Sequence, residues 1–106
     1  MYLDKNQKKA LSKAIARAWL DDSFRKQLLE NPVPALASLG LVVGIGVITF
    51  VPTEAQAIDD LVSRKDGNRL EVKLSGLPES LRDMTEEGIY SFLEDVIDWL
   101  TRLCST

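Results

Sequence analysis

The sequence predicts a small α+β domain, and three observations carry that prediction. Apolar residues recur at helical spacing near both ends of the chain, at Leu11, Ala14, Ile15, Ala18 and Trp19 and again from Ile89 to Leu103. Leu70, Val72 and Leu74 alternate with Glu71 and Lys73, the period of a half-buried strand. Residues 41–51, LVVGIGVITFV, are β-branched and lack a helical period. The expected architecture is two or three N-terminal helices, a short antiparallel β element and a long C-terminal amphipathic helix. A chain of 106 residues makes this one domain, 1–106, with a core of moderate size.

The first helix is expected over residues 4–20, with lysines and Gln7 on its polar face. Asp21 or Asp22 can cap a second helix, because a carboxylate accepts the orphan N–H groups of a first turn. Phe24, Leu28 and Leu29 put an apolar stripe on it. Pro32 and Pro34 are expected to stop it, since each lacks a donor and restricts its predecessor. A short third helix is expected over 35–39, with Gly40 at its left-handed end. Gly44 and Gly46 weaken a helical reading further, and a strand is expected over 47–51, covered at least partly on both faces.

In residues 53–62, Thr53 and Gln56 have capping-box spacing, and Ile58, Leu61 and Val62 fall on one helical face, which favours a short helix. Residues 64–69 read as a polar loop around Asp66-Gly67, and residues 75–78 as a turn. Asp83, with Glu86 three residues on, is expected to cap the last helix. Its early carboxylates and late Arg102 suit the helix dipole.

Composition bounds the function. The 45% of hydrophobic residues and 27% of charged residues mark a globular chain rather than a disordered one. The net charge of −3 argues against nucleic acid as the main partner. The early basic residues Lys5, Lys8, Lys9, Lys13, Arg17, Arg25 and Lys26 read as a solvated helix face, or as a surface for an acidic partner. Histidine is absent, which removes the commonest general base and metal ligand. The single cysteine, Cys104, cannot close an internal disulfide and suits a reducing cytoplasm. The longest apolar run, 11 residues, is too short to span a bilayer, and no signal peptide is expected.

The segment 19–40 ties residue types together by spacing. Ala18, Trp19, Asp21, Phe24, Arg25, Leu28, Leu29, Asn31, Pro32, Ala35, Leu36, Leu39 and Gly40 form the pattern AW-x-D-x-x-FR-x-x-LL-x-NP-x-x-AL-x-x-LG. This pattern resembles the N-terminal part of the nitrile hydratase α subunit. It resembles still more the nitrile-hydratase-like leader peptides that precede ribosomally made, post-translationally modified products. The firm match covers about a fifth of the chain. The resemblance implies a non-catalytic precursor whose folded body is recognised by peptide-modifying enzymes. Trp19, Phe24, Arg25, Leu28 and Leu29 are the residues expected to build or present that body. It also implies a strand near 53–62, and a modifiable tail at Cys104, Ser105 and Thr106, whose thiol and hydroxyls are what cyclising and dehydrating enzymes consume. Met84-Thr85-Glu86-Glu87 resembles the acidic segment at the end of such leaders, but the double-glycine cleavage site does not follow.

Other chemistries fit less well. Leu103-Cys104-Ser105 is similar to part of the nitrile hydratase metal cluster, yet Thr101 and Thr106 stand where its outer cysteines would fall. The adjacent carboxylate pairs diverge by about 100° on a helix and share no proton site. Neither a phosphate loop nor a nucleophile with its base is present, so no cofactor and no enzyme activity is expected. The competing expectation is a free-standing interaction protein that forms a homo-oligomer through Phe92, Val96, Trp99 and Leu103 of the last helix.

Overall fold

The structure is a computed structural model that describes residues 5–42, 48–54, 61–64 and 69–104, with backbone alone for 64, 80 and 101–104. The helices are α1 (Lys5–Leu20), α2 (Asp22–Glu30), α3 (Pro32–Ala37) and α4 (Glu86–Cys104). The strands are β1 (Ile48–Pro52), β2 (Val62–Arg64) and β3 (Leu70–Leu74), and a 3-10 turn (Glu79–Leu81) precedes α4. The fold is α+β, in two layers.

The sheet order is β1-β3-β2. β2 and β3 are antiparallel, whereas β1 and β3 are parallel, which corrects the expectation of a purely antiparallel element. The physical reason is connectivity. A parallel neighbour needs a crossover, and the chain makes one by visiting the far edge at β2 before returning to the middle. Register then aligns Phe50 with Val72 and Val72 with Val62, one apolar row across three strands. Leu70, Val72 and Leu74 are buried, as their alternation predicts. In β1, Ile48 and Phe50 are buried while Thr49 is exposed, so one face of that strand is open there.

The helices cover the inner face in matching order. α4 lies against β2, α1 against β3, and α2 with α3 against β1. α1 is therefore the middle helix and packs against α4 on one side and α2 on the other. Eight of its residues are buried: Ala10, Leu11, Ser12, Ala14, Ile15, Ala16, Ala18 and Trp19. They span about 240° of the helix circumference, against the stripe of about 100° that a single packed face requires. The alanines make the difference, because small side chains on both flanks let two helices approach. Ser12 is fully buried and donates its hydroxyl to the Lys8 carbonyl at 2.8 Å, so its burial leaves no open donor.

Local boundaries follow capping chemistry. Asp21 caps α2 through its carboxylate, which accepts from Ser23 N at 2.9 Å and Phe24 N at 3.3 Å. α3 begins at Pro32 and not at residue 35, since both prolines fit a first turn whose N–H groups have no helical partner. Gly40 has φ +91°. Its N–H meets the Ala37 carbonyl and the Leu41 N–H meets the Leu36 carbonyl, both at 3.0 Å, a Schellman closure with Leu36 and Leu41 buried beside it. Thr85, not Asp83, caps α4: its Oγ1 accepts from Gly88 N at 3.1 Å and its carbonyl from Ile89 N at 3.0 Å. A hydroxyl one residue before Glu86 reaches the Gly88 N–H of the first turn; Asp83 lies in the preceding turn. Of the expected helix over 53–62, Val62 belongs to β2 and residues 55–60 lie outside the described residues, as do Gly44, Gly46, Asp66 and Gly67.

Three substitutions test these constraints by denaturant unfolding. Ala16→Leu overpacks a flank of α1 and is expected to cost about 1–3 kcal/mol, whereas Lys13→Leu, on the exposed row, changes stability by less than about 0.5 kcal/mol. Gly40→Ala meets no neighbouring atom within 4 Å, so its expected cost of about 1 kcal/mol is purely the left-handed backbone.

Candidate functional site

Most of the motif residues are folding elements. Trp19, Phe24, Leu28 and Leu36 are in the core, at 5% exposure or less, and Leu29 and Leu39 pack half-buried against it. Trp19, Phe24 and Leu28 thus act on any partner only by setting the shape of the surface above them. Arg25 is half-buried and ties three segments together. Its Nη1 donates to the Ala18 carbonyl at 3.3 Å and the Ser75 carbonyl at 3.5 Å, and its Nη2 pairs with the Asp22 carboxylate. The Arg17 guanidinium lies 4.7 Å from the centroid of the Phe24 ring, a cation–π contact that covers the α1–α2 corner. Leu29 and exposed Leu20 are the apolar parts of this unit that a partner can reach.

The second predicted surface, on α4, divides. Val96 is buried and Phe92 is packed against the core, while Trp99 is 50% exposed. Ile89, Leu93, Ile97 and Leu100 take the centre of the buried face, so Phe92 and Trp99 lie on its flank. The accessible part of the predicted stripe is Trp99 and the rim of Phe92. The Leu103 and Cys104 side chains, with Ser105 and Thr106, lie outside the described residues.

The groove between α1 and α4 is not visible in the sequence. It measures about 370 Å³ and is lined by Lys5, Lys8, Lys9, Glu94, Asp95 and Asp98. Lys8 Nζ meets Asp98 Oδ1 at 2.7 Å across it, in a partly exposed ion pair. The basic face of α1 thus has acidic neighbours in the same chain. Opposite charges at four-residue spacing on the first and last helices were the available signal, but only antiparallel packing makes them adjacent. Among the described residues, no group of three or more His, Cys, Asp or Glu is placed to hold a metal ion. Among the same residues, no helix is long and apolar enough to cross a membrane.

Tyr90 donates its hydroxyl to Glu86 Oε1 at 2.7 Å on α4. That hydrogen bond, then burial, then the Glu86 charge raise its pKa above 10.0, while Arg17 of α1 opposes them. A raised folded pKa means that the phenol contributes stability at neutral and mildly alkaline pH, and loses it as pH rises through the folded pKa. Phenolate absorbance should show Tyr90 titrating later than an exposed tyrosine, and Glu86→Gln should move it back toward 10.0. Coincident titration of Tyr90 in both proteins would rule out the contact. No family model, curated protein or solved structure matches the chain.

Proposed function

We propose that the chain is a non-catalytic, leader-type precursor whose folded body is the handle by which peptide-modifying enzymes hold it. One observation carries this reading: the leader-like pattern from Trp19 to Gly40 acts throughout as a folding device. Asp21 caps, Trp19, Phe24, Leu28 and Leu36 fill the core, Arg25 ties α1 and α2 to the loop after β3, and Gly40 closes α3. A pattern used for shape suits recognition of a body, with the chemistry supplied by the partner. Cys104, Ser105 and Thr106 are the residues such a partner would modify, and the cytoplasm is where the thiol of Cys104 would stay reduced. Intact mass tests this. Coexpressed with its modifying enzymes, or taken from its native host, the protein should have lost water at each modified residue, or be shortened near α4. An unchanged, full-length mass in both preparations overturns the reading.

Trp99 favours a second reading, a free-standing protein that self-associates through the Phe92 and Trp99 flank of α4, because a half-exposed indole is a common anchor of protein contacts. Under that reading Trp99→Asp converts an oligomer to a monomer in sedimentation, with no change in mass on coexpression. Trp99→Asp without effect on assembly excludes it.

A further inference from the structure

α1 and α4 present one face made of two rows of opposite charge. Lys8, near the start of α1, meets Asp98 late in α4, while Arg17, near the end of α1, acts on Tyr90 in the first turns of α4. The helices are therefore antiparallel. Lys5, Lys9, Lys13 and Arg17 are all exposed at steps of four, which places them in one row along α1. Exposed Glu87 and Asp95, with half-buried Glu94 and Asp98, form the row beside it on α4. The groove lined by Lys5, Lys9, Glu94 and Asp95 shows that the two rows border each other.

Such a face is complementary to itself. A two-fold axis parallel to the helices lays the basic row of each copy over the acidic row of the other. An axis across the helices sets like charges together and is disfavoured. A partner of one sign, such as a nucleic acid or an acidic helix, matches one row and is repelled by its neighbour. We infer that this face binds a second copy of the chain, with α1 of each copy packed on α4 of the other. The inference is independent of the leader-type reading, and Trp99, four residues after Asp95, borders the acidic row rather than belonging to it. α1 is about 24 Å long and the pair about 20 Å wide, so each copy contributes roughly 500 Å², at the small end of specific interfaces. With charged side chains over that area, the dimer should be weak and sensitive to salt.

Sedimentation equilibrium of the full chain tests this. At about 30 mM salt a dimer is expected, and at about 500 mM its dissociation constant should rise about tenfold or more. Lys9→Glu/Lys13→Glu and Glu87→Lys/Asp95→Lys should each be monomeric at low salt with unchanged helicity. Mixed one to one, they should recover a dimer, which also shows that both variants are folded. A wild-type monomer at low salt up to about 100 µM overturns the inference. So does a dimer that survives either charge reversal, or a mixture that stays monomeric.

Discussion

The structure depends on the burial of α1 on three sides. A helix between two others and above a central strand has little freedom in what it displays. It must be apolar toward β3 and largely small toward α2 and α4, and most of its long polar side chains lie along the remaining face. Leu11 and Ile15 supply the apolar contact, and Ala10, Ala14, Ala16 and Ala18 supply close approach. Lys5, Lys9, Lys13 and Arg17 take the remaining row. The order of the helices over the strands follows from that central place, with α4 above β2 and α2 above β1. β3 is central in the same way, and its strict alternation of Leu70, Val72 and Leu74 with Glu71 and Lys73 gives the helix layer a continuous apolar floor.

The turn from α1 through α3 is held by chemistry that needs no large core. A carboxylate cap at Asp21, a guanidinium on two carbonyls, a cation over Phe24 and a glycine in the left-handed region each fix one change of direction. Net contributions of about 1 kcal/mol apiece are typical of such contacts, and they act on neighbouring residues, so they define a corner more sharply than apolar packing alone. A recognised body has to be rigid where it is read, because a partner that must order its target loses affinity to that ordering. This links the corner to the proposed role as a handle.

Charge distribution carries a second consequence. A net charge of −3 conceals two opposed rows that meet along one seam. Within one molecule the seam is tied at Lys8–Asp98, a pair that is partly solvated and so modest in energy. Across a two-fold axis the same rows become a specificity device, since they select one orientation and penalise the other.

Much of this fold is legible in the residues because its signals are local. Helical spacing marks α1, α2 and α4, alternation marks β3, and Gly40 marks the end of α3, each set by contacts within a few residues. Less legible were the features that depend on segments distant in sequence. Pro32 and Pro34 belong to the first turn of α3, and Thr85 caps in place of Asp83, because both choices rest on where the chain points on entering the helix. The parallel pairing of β1 with β3 and the strand at Val62 depend on a partner strand that local pattern cannot name. Arg25 reads in the sequence as a candidate contact residue, but its role as a tie appears only when Ser75, fifty residues away, is brought beside it. The sequence by itself determined which residues are apolar, which ends are capped and which helices carry charge. Only the tertiary structure decided that α1 lies in the middle and that its basic row borders the acidic row of α4, because adjacency between the first and last helices is a property of packing and not of spacing.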